Sequence, residues 1–284
     1  MDEVLDDRRP QREGGRLGEY VLIAVFAVIT IIFVMPLAVM VLSAFKPQAE
    51  ILRSPPSFWP EAPTLDNFQR VLSEAPYLLW YRNSLVVAIA VTAIAVFTSA
   101  VGGYIFAKFE FPLKQPLFVL VLATLMIPFP VLLIPNYIIA NRLGVLNSLW
   151  ALILPGMVSA FGIFLMRQFA AGIPRDLIEA ARLDGAGEWA IFGRIVLPLL
   201  RPALAALGVF TFLASWNDYL WPLVAINDLD KSTLPLALTF FSSVQSTRYD
   251  LIMAAASMAV VPVLIVFLIF QRQIVKALVL AGMR

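Results

Sequence analysis

The chain has 284 residues, of which 61% are hydrophobic and 14% charged, with a net charge of +2 and a mean hydropathy of +0.86. A soluble domain carries about 25% charged residues; the apolar surplus exceeds what one core can hide, so lipid is the expected solvent for much of the surface. The absence of His and Cys excludes Ser-His-Asp and Cys-His catalytic sets and zinc sites of imidazole or thiolate, and the weak net charge, with no basic stripe among aromatics, argues against nucleic-acid binding.

Residues 1–18 are polar and mixed in charge, with no periodic apolar face, and are expected to be disordered. The remaining residues, 19–284, read as one membrane domain. A bilayer core takes about 20 apolar helical residues. Six stretches qualify: Glu19–Ser43, Asn83–Ala107, Pro116–Ile139, Ser148–Phe169, Pro202–Ile226 and Leu251–Phe270. The first is too long for the apolar part of a signal peptide and is followed by no small-residue cleavage site, so it reads as an uncleaved anchor. Between the first two spans, Ala44–Arg82 carries Ser54-Pro55-Pro56-Ser57-Phe58-Trp59-Pro60. That run suits a stiff aromatic surface for another protein and, equally, an interfacial anchor. The third span is interrupted by Pro128, Pro130 and Pro135. Each removes a backbone donor, and in lipid the freed carbonyls need neighbouring helices or a wet cavity. A hinge or a pathway-lining segment is one reading of it; a kink fixed by packing is the other.

The loops fix an expected orientation. With the N-terminus inside, the inner loops hold 14 Lys and Arg and the outer loops 7, as the positive-inside rule requires. Both termini are then cytoplasmic.

An inner loop, about residues 172–200, follows the fourth span. In it Ile173-Pro174-Arg175-Asp176-Leu177-Ile178-Glu179-Ala180-Ala181-Arg182-Leu183-Asp184-Gly185 reads as a helix. Pro174 suits its first turn, Asp176 its positive end, and Gly185 a left-handed stop. A second short helix is expected from Glu188 to Val196, stopping at Leu197-Pro198. The small Ala180 and Ala181 permit close approach of a partner backbone, so the hairpin reads as a knob for a groove on a soluble protein, against the plainer reading of a hairpin packed on its own bundle.

Glu179-Ala180-Ala181, Asp184-Gly185-Ala186, Phe192, Ile195, Leu197-Pro198 and Pro202 resemble the EAA loop of ABC-importer membrane subunits. Ile134-Pro135-Asn136-Tyr137, Leu149-Trp150-Ala151-Leu152-Ile153-Leu154-Pro155, Ser215-Trp216-Asn217-Asp218 and Phe270-Gln271-Arg272 resemble its carbohydrate-uptake branch, in the subunit type exemplified by the smaller maltose-transporter permease. The resemblance runs from about Tyr20 to the C-terminus, although Ala281-Gly282-Met283-Arg284 departs from the usual tail. It implies an all-α membrane protein of the type I ABC importer permease fold, in a bacterial plasma (inner) membrane. It implies a coupling helix in which Glu179 makes a polar contact to the ATPase, Ala180 and Ala181 pack closely, and Asp184, Gly185 and Ala186 form the turn. The implied partners are a second permease subunit, two ATP-binding-cassette subunits that hold the ATP and Mg, and an external solute-binding protein. The segment Asn227–Asp250 would reach toward that binding protein.

No Gly-Lys pair occurs, so the chain has no Walker A loop and is expected to hydrolyse no ATP. Trp216, Asn217 and Asp218, with Asn136 and Tyr137, are the candidate pathway residues. Aromatic faces stack on sugar C–H surfaces, and amide and carboxylate oxygens accept hydroxyl hydrogen bonds; Trp and Tyr also gather at membrane interfaces without any ligand. Counted along a continuous helix, Asp218 lies 16 residues, about 24 Å, from Pro202. Two other classes compete: an ion-gradient-driven secondary transporter with Asp218 as its ion site, and an intramembrane carboxylate enzyme, which lacks a second intramembrane acid.

Overall fold

The computed structural model describes residues 14–242 and 247–282, with side chains described for 18–242 and 247–272. Helices dominate, and the only strand-like pairing among the described residues is an isolated bridge between Ser242 and Thr247. In chain order the helices are α1 (Gly14–Ser43), α2 (Gln48–Ile51), α3 (Asp66–Glu74), α4 (Tyr77–Lys108), α5 (Lys114–Thr124), α6 (Phe129–Arg142), α7 (Leu149–Ile153), α8 (Ala160–Ala171), α9 (Arg175–Leu183), α10 (Glu188–Ile191), α11 (Leu197–Trp216), α12 (Leu220–Ala225), α13 (Leu234–Ala237) and α14 (Tyr249–Gly282). Residues 1–13, most of the segment expected to be disordered, and the tail residues 283 and 284 lie outside the described residues; Gly14–Gly18 continue α1.

Four helices are long and apolar enough to cross a bilayer unbroken: Gly18–Ser43, Tyr77–Lys108, Glu188–Trp216 and Tyr249–Arg272. Two bent pairs bring the number to six, α5 with α6 at 102° and α7 with α8 at 41°. Contacts at the two ends of the bundle fit one crossing for each pair. At one end Lys108 Nζ donates to the carbonyl of Ile173 just past α8, and Arg175 meets Glu110 at 3.4 Å. At the other end Asn147, between α6 and α7, donates its amide to Ala225 O at 2.9 Å and accepts from the amides of Asn227 and Asp228. Asn147 has φ of 56°, a left-handed conformation that asparagine tolerates better than most residues. The chain thus leaves the α9 end through α5 and α6 and returns through α7 and α8.

The core is a close pairing of α4 with α8, flanked by α11. Glycine makes the approach feasible: a Cβ at Gly103 would lie 2.6 Å from the Arg167 amide nitrogen, and one at Gly162 would fall on the Ser99 side chain. Tyr104, Met166, Ile191, Phe192 and Leu200 fill one cluster at the α9 end, while Tyr77, Trp80, Phe212, Trp216 and Phe241 fill another at the opposite end. By contrast, the apolar window of α1 is 0% buried within the chain.

Three sequence expectations need correction. The helix from Glu188 does not stop at Leu197-Pro198; residues Phe192–Val196 form a π turn that runs straight into α11. A π turn bonds each amide five residues back, and that slack accommodates the donor missing at Pro198. The fifth span does not run unbroken to Ile226 either. It ends at Trp216, and α12 starts afresh at Leu220. Likewise the fourth span breaks between Gly156 and Ala160. The expected break in the third span is present at two of its three prolines: Pro128 caps α6, Pro130 sits in its first turn, and the 102° bend lies between Thr124 and Phe129, whereas Pro135 lies inside α6 and does not interrupt it.

Candidate functional site

Two assemblies of chemistry-bearing residues stand apart, one at the α9 end and one in an open cavity at the facing helix breaks. The first is the hairpin of α9 and α10. Pro174 occupies the cap position of α9, one residue earlier than expected, and Asp176 lies in its first turn. Gly185, with φ of 81°, stops the helix. The turn is closed by backbone bonds from Asp184 to Ala180, Gly185 to Arg182 and Ala186 to Ala181, at 3.0, 3.0 and 2.9 Å. Arg182 Nε meets Glu188 Oε1 at 2.7 Å across it, an ion pair that raises the Arg182 pKa. Ile178, 3% exposed, roots the hairpin in the core, and Ala181 and Ala186 pack against the same cluster.

The opposite face of the hairpin is uncovered. Leu183 is 89% exposed and Trp189 72%, with Leu177 half-exposed, and Glu179, Ala180, Asp184 and Gly185 are exposed around them. Apolar side chains rimmed by charge on a rooted knob are the signature of a docking face. The base is tied to the bundle through Glu110, which pairs with Lys114 at 3.2 Å as well as with Arg175. Those cations, Lys114 first, hold the Glu110 carboxyl below the usual glutamate range.

The second assembly is a cavity of about 440 Å³ where the breaks in the fourth and fifth spans face each other. Pro155, Gly156 and Ser159 line it from one break, and Ser215, Asp218 and Trp221 from the other. Val91, Phe129, Leu207, Phe210 and Thr211 complete much of the wall. Asp218 is not a mid-helix residue but lies in the break just before α12, accepting from the Trp221 amide at 3.3 Å. The backbone groups freed by the breaks are met from neighbouring elements. Thr98 Oγ1 donates to Met157 O at 2.8 Å, and Trp221 Nε1 donates to Ala151 O at 2.8 Å. Broken helices in lipid persist only where such partners or a wet cavity exist.

The five expected pathway residues are therefore scattered. Asp218 faces the cavity. Asn217, exposed beside it, bonds back to Leu213 O at 2.9 Å. Trp216 is buried instead, stacked on Phe212 and donating to Ala259 O of α14 at 3.2 Å. Asn136 and Tyr137 lie on α6 and are not among the cavity-lining residues. Sequence reading missed Ser159, Thr211 and Ser215; the Pro155-Gly156 pair, a turn signal inside an apolar run, was the available clue to the first.

At the end opposite α9, the two long connections form one cap. Asn67 Nδ2 donates to Ala44 O and Lys46 O at 2.8 and 2.9 Å. Trp80 Nε1 reaches Leu229 O at 2.8 Å, Asn83 Nδ2 reaches Asp230 O at 2.8 Å, and Ser84 Oγ receives the Leu234 amide at 2.7 Å. Phe58 and Trp59 project from it, the latter 69% exposed. Residues 243–246 of the Asn227–Asp250 segment lie outside the described residues.

A family model described as "Binding-protein-dependent transport system inner membrane component" matches residues 99–279. The arabinooligosaccharides transport system permease protein AraQ of Halalkalibacterium halodurans is 38% identical over 262 residues, covering 91% of this chain and 94% of the relative. The lactose transport system permease protein LacG of Rhizobium radiobacter is 33% identical, covering 93% and 96%. The sn-glycerol-3-phosphate transport system permease protein UgpE of Yersinia pestis is 34% identical, covering 91% and 94%. Among solved structures, a chain of a bacterial ABC transporter involved in the import of the acidic polysaccharide alginate superposes with a TM-score of 0.80, at 21% identity over 92% of this chain and 97% of that one. That likeness establishes the shared fold.

Proposed function

The chain belongs to the family of binding-protein-dependent transport system inner membrane components, permease subunits of ABC importers whose ATPase is a separate subunit, and from that premise we propose that it carries an oligosaccharide or a related polar solute past Asp218. The observation that carries this reading is the cavity at the two facing breaks, where a carboxylate, three hydroxyls and aromatic rings meet within apolar walls. Hydroxyl-rich solutes are recognised by such a mixture. The printed cargoes of the relatives, arabinooligosaccharides and lactose among them, support the same class.

In this reading the α9–α10 hairpin is the coupling element. Glu179, Ala180, Asp184 and Gly185 meet one of two ATP-binding-cassette subunits, which hold the ATP and Mg, while Ala181 and Ala186, expected on the same face, seat the loop on the bundle behind them. The exposure of Leu183 and Trp189 supports that use. The Lys and Arg bias of the loops, 14 against 7, supports a cytoplasmic hairpin and cytoplasmic termini in a bacterial inner membrane. A second permease subunit completes the pathway, and the cap, with Phe58 and Trp59, receives the external solute-binding protein.

The test is uptake by the assembled transporter in proteoliposomes. Asp218→Asn keeps the shape of the side chain and removes its charge. Uptake of the cognate solute is expected to fall several-fold while assembly and ATPase binding persist; unchanged kinetics would remove Asp218 from the pathway. Uptake that ignores ATP and collapses with an ionophore would favour an ion-driven carrier instead.

A further inference from the structure

A second cavity, of about 480 Å³, opens on the outside of the bundle between α4, α11 and α14, away from the breaks. Apart from Thr92 its walls are apolar: Val96, Leu204, Val209, Phe212, Val266 and Phe270. Its floor is low because Ala93, Ala205 and Gly208 face it. One charge stands in this lining, Arg201, which is exposed and makes no ion pair or hydrogen bond with another described residue. A guanidinium without a partner among the described residues, at the mouth of an apolar membrane groove, calls for an anion with an apolar tail.

The length of the groove identifies the tail. Arg201 and Phe212, eleven positions apart on α11, mark its two ends, about 16 Å at the helical rise. Half of a bilayer core is about 15 Å. The groove is therefore one leaflet deep, whereas a docked transmembrane helix would need a track along both leaflets. Phe270 lies at the same end as Arg201, twenty-one positions after Tyr249, where α14 begins, and so about one bilayer core away from the cap. That places the guanidinium at the headgroup level of the leaflet on the α9 side.

We propose that this groove is a binding site for an anionic phospholipid of the leaflet on the α9 side, its phosphate on Arg201 and one acyl chain between α4, α11 and α14. The inference rests on the proposed orientation only for calling that leaflet cytoplasmic. The site touches three of the spanning helices, α11 among them, which also carries Thr211 and Ser215 of the first cavity, so a lipid wedged there would bear on a helix that lines both.

The assembled transporter, in nanodiscs of phosphatidylglycerol and phosphatidylcholine, is delipidated stepwise and weighed intact by native mass spectrometry. One phosphatidylglycerol is expected to survive, with phosphatidylcholine washing off. Arg201→Gln should weaken its retention about five-fold, the factor that one basic residue contributes at an anionic surface. Gly208→Leu should expel the lipid with Arg201 intact. A Cβ there meets only the methyl groups of Thr92 and Val96, at 3.8 Å, so the backbone at 208 tolerates a side chain, and position 208 lines the groove. Arg194→Gln, an exposed arginine outside the groove, should change nothing. Equal retention of both lipids, or of phosphatidylglycerol by both groove variants, would overturn the proposal. So would an efficient disulfide from Ala205→Cys to a cysteine in the second permease, since a protein would then fill the groove. None of these outcomes alters the assignment of Asp218, because no Asp218 variant is involved.

Discussion

At the scale of single residues, glycine decides how closely the central helices can meet. Gly103 places the α4 backbone against Met166 and Arg167 of α8, with no room for a side chain. Gly103→Val should force α4 and α8 apart and destabilise the fold by about 3 kcal/mol, the upper range for overpacking; a lowered melting temperature of the detergent-solubilised protein checks it. Gly185 is demanding in a different way, through its φ of 81°. Gly185→Ala should cost about 1–2 kcal/mol locally and fray the end of α9. Glu179→Lys leaves the backbone untouched and reverses a charge on the exposed face. Both variants are expected to insert normally and to lose transport, with less ATPase subunit co-purifying; full uptake in both would detach the hairpin from coupling. The residues of the hairpin were readable from sequence because a left-handed stop, an acidic first turn and paired alanines are local signals. Trp216 was not. Phe212 lies one turn back on α11 itself, but Ala259 is brought up by packing of α11 on α14, and no local pattern distinguishes a tryptophan that lines a cavity from one that seals a core.

At the scale of elements, the interest lies in how broken spans are kept. The prolines at 128 and 130 announced the bend between α5 and α6, because proline acts on the turn that contains it. The break after Trp216 carried no such mark. Its cause is the sequence Asn217-Asp218, whose side chains compete with helical backbone bonding, Asn217 by closing on Leu213 and Asp218 by capping α12. The reverse error occurred at Pro198, where a stop was expected and a π turn carried the helix through. Proline reports a missing donor, not the neighbourhood that compensates for it. Trp221 ties α12 to α7 through its indole bond to Ala151 O. Trp221→Phe keeps the ring and leaves that carbonyl unpaired, at a cost of about 1–3 kcal/mol. The expected outcome is faster hydrogen exchange confined to Leu149–Ile153 and Leu220–Ala225, with the α9 hairpin unchanged. The Glu110 latch has a pH signature. Lys114 and Arg175 depress its folded-state pKa, so its contribution is complete above the ordinary glutamate pKa and vanishes as pH falls through the lower folded value. Between pH 6 and 8 the latch should hold unchanged, and the loss of melting temperature caused by Glu110→Gln should be the same at both ends of that range.

At the scale of the whole molecule, six crossings were legible because each is an apolar run of the right length. What sequence could not supply was which of them are whole. The orientation is testable directly. Single cysteines at exposed Leu183 and Trp59, in a chain that has none of its own, should react with an impermeant maleimide from opposite sides of sealed vesicles. Labelling of both from one side would overturn the topology. Finally, α4 is fastened at both extremities. Near Tyr77 it is pinned to the Leu229–Leu234 stretch through Trp80, Asn83 and Ser84, and at its other tip Lys108 grips the end of α8 beside the hairpin. It spans 32 residues without interruption, about 48 Å at the helical rise. One unbroken rod therefore joins the hairpin end to the far rim, whereas the route through α5 and α6 turns by 102° on the way.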